Sequence, residues 1–306
     1  MVKYIAKRIL VGLISVCVLT TVTFYLMHYV PGNPFSSDRN LKPAVLEMML
    51  DRYHLNDPIH VQFSYYLKDL IRGDLGESMV NTGQKVNYVI ATSAPVTLRL
   101  GLFAFTLAIV LGITFGLIAA LTKKQWLKNT VMMMATVGVS LPSFLFSLML
   151  MYVFGVWLKV LPLIGLSSPI HYIMPGLSVA LYSISSYTRM VRSTMTEAMR
   201  TDYITLARSK GLSNLVVYVK HGLKNAVLPV ITSAGQTIAF MLTGSFVIEN
   251  LYSIPGIGKA YVTSVQNRDY TMIMGLTIYL GTIIVITTIL SDIISALVDP
   301  RIRLHD

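Results

Sequence analysis

The chain has 306 residues, of which 54% are hydrophobic and 13% charged, and its formal net charge is +11. Soluble domains carry about 25% charged residues, so this composition excludes an ordinary soluble protein and indicates an integral membrane protein. The single cysteine, Cys17, excludes an internal disulfide framework and a Cys-based metal site. The excess positive charge lies mostly in short loops beside apolar segments, which is typical of cytoplasmic membrane loops rather than of nucleic-acid-binding surfaces.

The N-terminal part begins with Lys3, Lys7 and Arg8, followed by an apolar run that ends near residue 30. About 20 apolar residues suffice to cross a bilayer, so residues 1–30 are predicted to hold the first transmembrane helix, with a cytoplasmic N-terminus. Residues 31–97 are predicted to form an extracellular excursion with helices of its own, because Pro43 and the pair Asp57-Pro58 are typical helix starts.

The rest of the chain contains five further apolar segments, and residues 98–298 are predicted to form a permease core, followed by a cytoplasmic tail at 299–306. Lysines in the loop after the second segment place that loop inside, and the loop at Lys159 is then outside. The predicted fold is an all-α membrane protein with six transmembrane helices and both termini in the cytoplasm. The five spans are 98–121, 131–157 (with Pro142 in its middle), 171–190, 230–248 and 272–298.

The fifth predicted span is unusually rich in small and polar residues, which allow close helix packing. Gln236 is costly to expose to lipid, and it is therefore predicted to face protein or a water-filled path. Thr243 and Ser245 are candidate path-lining residues on the same segment. In the sixth span, Asp292 is predicted to have an interhelical or interfacial partner, with a proton relay as the alternative.

The polar, basic loop at residues 193–229 separates two of these spans. Five cations of its central part, Arg200, Arg208, Lys210, Lys220 and Lys224, accompany a single acid, Asp202. Gly211 is well placed to end a helix in the left-handed conformation that glycine adopts at little cost. The loop is predicted to be a docking surface for a cytoplasmic partner, and an ordinary positive-inside loop is the alternative.

Several residues of this loop resemble the cytoplasmic loop of ABC importer permeases, which has a Glu-Ala-Ala-like triplet, a glycine four residues later and a following Leu-Pro. Here the triplet positions hold Thr205, Leu206 and Ala207, the glycine is Gly211, and Leu-Pro stands at 228–229. The departures from the general pattern are similar to the oligopeptide/dipeptide branch. Further patches resemble that branch in the same order: residues 73–76 (Gly-Asp-Leu-Gly), 95–98, 254–259, 268–270 and 299–303.

This resemblance implies a fold like that of type I ABC importer permeases and a non-catalytic transport subunit in a bacterial plasma membrane. It implies a second, homologous permease, two ABC ATPases that carry ATP and magnesium, an extracellular binding protein and a peptide substrate, with no nucleic acid, cofactor or metal in this chain. The residues implied to couple to the ATPases are Tyr203, Thr205, Leu206, Ala207, Arg208, Lys210, Gly211 and Leu212.

Other functions are weighed against this one. The sequence contains neither His-Glu-x-x-His nor Gly-x-Ser-x-Gly, the motifs that would favour an intramembrane enzyme. A self-powered secondary transporter would be expected to show an inverted repeat with ion-coupling residues at mid-membrane, and the sequence shows neither feature. Permeases for nickel or other metal chelates belong to the same family, so the substrate stays open between peptides and chelates.

Overall fold

A computed structural model describes residues 2–29 and 43–298, where the regular structure is helical apart from a single bridge between Glu77 and Lys85. The described backbone divides into two compact units: residues 2–29, 43–97 and 255–286, and residues 98–254 with 287–298. The start of the predicted excursion (residues 31–42) and the predicted cytoplasmic tail lie outside the described residues, as does the patch at 299–303.

The helices are numbered in chain order. The first unit contains α1 (Val2–Tyr29), α2 (Pro43–Arg52), α3 (Ile59–Ile71), the start of α4 (Val86–Leu121), α13 (Ile257–Gln266) and most of α14 (Tyr270–Val298). The second unit contains the rest of α4 and of α14, together with α5 (Gln125–Ser140), α6 (Ser143–Leu150), α7 (Ile173–Ala198), α8 (Asp202–Ser209), α9 (Asn214–Val216), α10 (Lys224–Ala226), α11 (Leu228–Leu242) and α12 (Phe246–Leu251). Wider π-helical turns continue α6 over Met151–Trp157 and α9 over Val217–Leu223, and a short 3₁₀ turn, Pro169–Tyr172, leads into α7.

The first unit is held together by an apolar core and by one buried carboxylate. The core residues lie on α4, α13 and α14: Val86, Val89, Ala94, Ile257, Met272, Leu276 and Leu280. Asp269 is 3% exposed and accepts a hydrogen bond from the Ser78 hydroxyl. It also accepts hydrogen bonds from the backbone N–H groups of Met79 and Met272, each at 3.2 Å. The carboxylate thus fastens the loop after α3 to the first turn of α14.

The second unit is built around α7, which packs against α4, α5 and α11. Alanines of α4 and α7 lie in its core, and Gly112 of α4 comes so close to α7 that an added Cβ would lie 2.6 Å from the Tyr187 Cβ. Small residues permit this close approach of helices within an apolar environment. The Tyr187 hydroxyl donates a hydrogen bond of 2.7 Å to the Thr237 hydroxyl, which joins α7 to α11.

Four helical segments of the described chain are long and apolar enough to cross a membrane: Ile5–Tyr29, Val86–Leu121, Leu228–Leu251 and Tyr270–Ile293. The pair Gln125–Ser140 and Ser143–Trp157 makes a fifth if it counts as one span. The predicted fourth span corresponds to α7, whose 26 residues extend about 39 Å. Its serines, threonines and tyrosines keep it outside this group, so the count of six spans remains a prediction.

The helix bounds differ from the predicted spans, and the differences are largest in the second and third spans. The second predicted span begins at residue 98, whereas α4 begins at Val86 and contains Pro95. A proline removes one backbone hydrogen bond, and the helical residues on either side of it tolerate that loss within a long helix. The third predicted span is not a straight helix, because α5 and the segment that follows Pro142 are bent by 114° relative to each other.

Candidate functional site

The short helix α8 in the basic loop ends in a complete backbone cap. Gly211 has φ +76°, as its place after the helix predicts. The N–H of Gly211 donates to the carbonyl of Arg208 at 2.9 Å, and the N–H of Leu212 donates to the carbonyl of Ala207 at 3.4 Å. These two bonds form a Schellman motif, which requires a left-handed residue at the glycine position. The predicted left-handed glycine is therefore confirmed.

One face of α8 packs inside the loop. Ile204 and Ala207 are buried against Val217, with Met199 and Tyr218 beside them. Burial of these apolar side chains holds α8 on the turn that follows it, since the hydrophobic effect favours removing such surface from water. At the end of the loop, the Asn225 side chain donates a hydrogen bond of 2.7 Å to the Tyr203 hydroxyl. The loop is therefore a folded unit that presents a fixed surface.

The other face of the loop is exposed and combines apolar and cationic side chains. Leu206 is 57% exposed and Leu215 72% exposed. We call this the loop surface; it is formed by the exposed residues Tyr203, Thr205, Leu206, Arg208, Lys210, Gly211, Leu212, Leu215, Val219, Lys220 and Lys224. Exposed apolar side chains rimmed by charged ones mark interaction sites on proteins. Leu215 and Val219 were not among the residues predicted from the sequence, and their apolar character in a basic loop is the signal that would have indicated them.

Of the eight residues predicted to couple to ATPases, seven lie on the loop surface, and Ala207 lies on the buried face of α8. Ala207 therefore supports the position of α8 and does not offer its side chain to a partner. The structure brings the other seven together on a single short helix and the turn that closes it. Their part in binding a partner remains a prediction.

A cavity of about 520 Å³ lies within the second unit, between α5, α6, α7 and α11. The side chains that line it carry no formal charge, and several of them are polar. The lining residues are Val139, Ser140, Leu141, Pro142, Ser143, Val179, Leu181, Tyr182, Ser183, Gln236, Thr237 and Phe240. Gln236, which is predicted to face protein or a path, lies in this lining.

The break between α5 and α6 forms one wall of the cavity. Pro142 precedes α6 and provides no side-chain cap for it, and proline itself has no N–H to donate to α5. The last carbonyls of α5 and the first N–H groups of α6 therefore have no partner in a continuing helix. The cavity thus combines apolar walls with hydroxyl, amide and main-chain polar groups, a composition typical of small-ligand sites.

Thr243 and Ser245, the other two candidate path-lining residues, lie instead at the junction of α11 and α12. The Thr243 hydroxyl donates a 2.8 Å hydrogen bond to the carbonyl of Phe240. The Ser245 hydroxyl accepts a 3.4 Å bond from the N–H of Ile248 and so caps α12. Both side chains serve the backbone of this junction and lie outside the cavity lining. Tyr182, Ser183 and Phe240, which do line the cavity, were not among the path-lining residues predicted from the sequence.

These features define a polytopic, all-helical membrane transport protein with a folded, basic loop. Two family models match the chain: the binding-protein-dependent transport system inner membrane component at residues 112–304, and the N-terminal part of such membrane components at residues 1–101. The chain belongs to this family of binding-protein-dependent transport permeases, and it is a multi-pass protein of the cell membrane.

Characterised relatives align with the chain from end to end. A protein described as the dipeptide transport system permease DppB of Bacillus subtilis is 40% identical over 305 residues, which is 100% of this chain and 99% of the relative. The oligopeptide transport system permease OppB of Haemophilus influenzae is 38% identical and covers 99% of this chain and 100% of its own length. The oligopeptide transport system permease OppB of Escherichia coli K12 is also 38% identical over the same shares.

Solved structures share the fold at lower sequence identity. A chain of the inward-facing MetNI methionine ABC transporter matches with a TM-score of 0.58 at 17% identity, covering 69% of this chain and 97% of that one. An amino acid ABC transporter solved with histidines matches with a TM-score of 0.55 at 13% identity, covering 69% of this chain and 94% of that one. These matches establish the type I ABC importer permease fold that the sequence predicts.

Proposed function

We propose that this chain is one permease half of an ATP-driven importer of peptides. The full-length relatives, at 38–40% identity, are described as dipeptide and oligopeptide transport permeases, and the matched length includes both the loop and the cavity. The proposed path is shared with a second, homologous permease. An extracellular binding protein delivers the peptide to that path.

The observation that carries this proposal is the folded basic loop. Its exposed leucines and cations are proposed to bind in a cleft of a separate ATPase subunit, and the Schellman cap at Gly211 holds the end of α8 that presents them. The printed sequence contains no Walker motif, so ATP and magnesium are proposed to bind to two partner ATPases. The chain itself is proposed to be non-catalytic.

The cavity in the second unit is proposed to be part of the translocation path. Peptides share a polar main chain and differ in their side chains. An uncharged lining that offers hydroxyls, the Gln236 amide and open helix ends can bind the peptide main chain without selecting the charge of the side chains. Such a lining suits a transporter of varied peptides.

The proposal is tested by reconstitution with the partner subunits. We expect that proteoliposomes containing this chain, its partner permease, the two ATPases and the binding protein hydrolyse ATP faster when a dipeptide is added, and that they accumulate that dipeptide. A matched preparation whose ATPases cannot hydrolyse ATP should accumulate none. Stimulation by a nickel chelate but not by any peptide would favour the chelate alternative. Uptake in the matched preparation, driven by an ion gradient, would favour a secondary transporter.

The proposed topology has six spans and cytoplasmic ends, and accessible single cysteines test it. In a chain with Cys17→Ser, cysteines are placed at exposed positions by Thr82→Cys, Gln125→Cys, Ser167→Cys, Ser213→Cys and Asn267→Cys. A membrane-impermeant thiol reagent added to intact cells should label positions 82, 167 and 267 and spare 125 and 213. Labelling of position 213 in intact cells would place the basic loop outside and overturn the topology. Permeabilised cells provide the control that all five positions react.

A further inference from the structure

Another cavity, of about 290 Å³, lies within the first unit and shares no lining residue with the cavity of the second unit. It is lined by the loop before α4, the start of α4, α13 and the segments on either side of α13. Its volume is just below the range of about 300–1,000 Å³ that is typical of small-ligand sites, so it suits a small ligand.

Three carboxamide side chains, those of Asn81, Gln84 and Asn267, line this cavity, and Tyr88 lines it as well. Within the part of the chain that the structure describes, none of these four side chains forms a hydrogen bond. The Ser264 hydroxyl, in the same lining, instead donates to the carbonyl of its own helix. The three amides and the phenol are therefore available to a ligand.

The backbone that carries the amides is fixed by hydrogen bonds. The N–H of Asn81 donates to the Ser78 hydroxyl at 2.8 Å, and the N–H of Gln84 donates to the carbonyl of Asn81 at 3.0 Å. On the other side, Asn267 caps the C-terminus of α13 through its backbone N–H. Asp269 joins the two sides, because it accepts a hydrogen bond from Ser78. The amides are thus held on a fixed frame before a ligand binds, which lowers the entropic cost of binding.

A carboxamide has the same hydrogen-bonding groups as a peptide unit, namely a carbonyl acceptor and N–H donors. One carboxamide can therefore exchange two hydrogen bonds with a peptide main chain. The lining also includes the apolar side chains of Val89, Ala260 and Met272, which can contact the side chains of a ligand. The combination of three amides with apolar surface fits a short peptide.

The charges of the lining favour a ligand with no net charge. Lys259 and Asp269 are the charged residues of this lining, so their formal charges cancel. Asp269 is 3% exposed, and its carboxylate accepts the three hydrogen bonds that hold the first unit together. A zwitterionic peptide, whose two end charges also cancel, matches this balance.

We propose that the cavity of the first unit binds the main chain of a short peptide through the amides of Asn81, Gln84 and Asn267. This inference rests on the proposed function of the chain as a peptide permease, and it adds a second peptide-binding site to that function. Residues 31–97 are predicted to be extracellular. In that topology the site lies on the side from which the binding protein delivers the peptide.

Binding is measured on the purified full chain in lipid nanodiscs, labelled with ¹⁵N at the side-chain amides of asparagine and glutamine. The probe is the dipeptide Ala-Ala. We expect the amide signals of Asn81, Gln84 and Asn267 to shift together as the dipeptide is added, with one common Kd. The proposal fails if these three signals stay unchanged at dipeptide concentrations that saturate uptake.

Three variants remove one amide each and nearly keep the size of the side chain: Asn81→Leu, Gln84→Met and Asn267→Leu. They assign the signals by their disappearance, and each should raise the Kd roughly tenfold, as fits the loss of a hydrogen bond to the ligand. Gln266→Met is the matched control, because it changes an exposed amide on α13 that lies outside the lining. Equal Kd values for the control and all three variants would overturn the proposal.

A second ligand tests whether the site recognises the main chain. The ester analogue of Ala-Ala, in which an oxygen replaces the peptide N–H, keeps both end charges and nearly the same shape. We expect it to bind roughly tenfold more weakly than Ala-Ala, because it lacks one hydrogen-bond donor. Equal affinity for the two ligands would show that the amides do not bind the main chain, and would contradict the proposal.

The same spectra separate this inference from the proposed function. A shift confined to Gln236 would assign peptide binding to the second unit alone, which overturns the inference and leaves the peptide permease intact. Shifts of the three amides of the first unit, combined with no uptake by the reconstituted proteoliposomes, would support the site and contradict the proposed transport.

Discussion

Replacing Gly211 by valine is expected to abolish transport while the protein still reaches the membrane. The backbone at Gly211 has φ +76°, a conformation that costs an L-residue about 1–2 kcal/mol and a β-branched residue more. No heavy atom lies within 4 Å of the place where a Cβ would stand, so the effect comes from backbone strain alone. The backbone of the valine variant is expected to relieve this strain by leaving the left-handed region. That change breaks the Schellman cap and turns the loop surface away from its proposed partner.

The measurement is the co-purification of the ATPases with the Gly211→Val permease, together with uptake of a labelled peptide. Gly211→Asn is the matched control, because asparagine tolerates the left-handed conformation better than other residues with a Cβ. It should retain most of the activity, and Gly211→Ala should fall between the two. Arg208→Glu should weaken ATPase binding through its charge with the turn intact. Wild-type assembly and transport by Gly211→Val would show that the cap has no part in coupling.

The second large effect is expected from removing the buried carboxylate of the first unit. Asp269→Ala leaves the Ser78 hydroxyl and the N–H groups of Met79 and Met272 without their acceptor. Each buried donor left unsatisfied costs about 1–3 kcal/mol, so the variant should lose on the order of 3 kcal/mol of stability in this unit. The consequence is local loosening between the loop after α3 and the start of α14.

Thermal unfolding of the purified chain and limited proteolysis measure this effect. Asp269→Asn retains one acceptor oxygen and should be destabilised less than Asp269→Ala. Ser78→Ala removes a hydroxyl that also accepts hydrogen bonds from the N–H groups of Val80 and Asn81, and it should be destabilised too. Asp69→Ala, at an exposed position on α3, is the control and should unfold like the wild type. Equal melting of Asp269→Ala and the control would refute the structural role of Asp269.

The helix ends that were predicted correctly from the sequence are those that a few neighbouring residues determine. The end of α8 and the left-handed Gly211 follow from a helix-compatible run and a single glycine, because a backbone cap depends on a few adjacent residues. The starts of α2 and α3 near Pro43 and Pro58 follow from the fixed φ of proline in the same way. The fold class followed from hydropathy and from the resemblance to a permease family.

Tertiary packing determined what the sequence left unresolved. The sequence predicted a single span over 131–157 with Pro142 in its middle, whereas the bend of 114° depends on how α6 packs against α7, which no local pattern contains. Ala207 stands among exposed residues in the sequence, yet it packs on Val217, ten residues away. The cavity lining combines residues of α5, α6, α7 and α11, which are distant in the sequence. Among its polar residues, only Gln236 was identified from the sequence, because exposing an amide side chain to lipid has a high free-energy cost.

The break between α5 and α6 also restricts where lipid can be. Hydrocarbon tails offer no hydrogen bonds, and an open peptide group exposed to them costs several kcal/mol. The carbonyls that end α5 at Ser140 and the N–H groups that start α6 at Ser143 must therefore meet water, substrate or protein groups. Where this break lies within the hydrocarbon region, the face of the second unit that carries Tyr182 and Phe240 cannot be a stable boundary with acyl chains. A solitary subunit in a bilayer would draw water to that face, and assembly with a second subunit would replace this wet boundary by an enclosed channel.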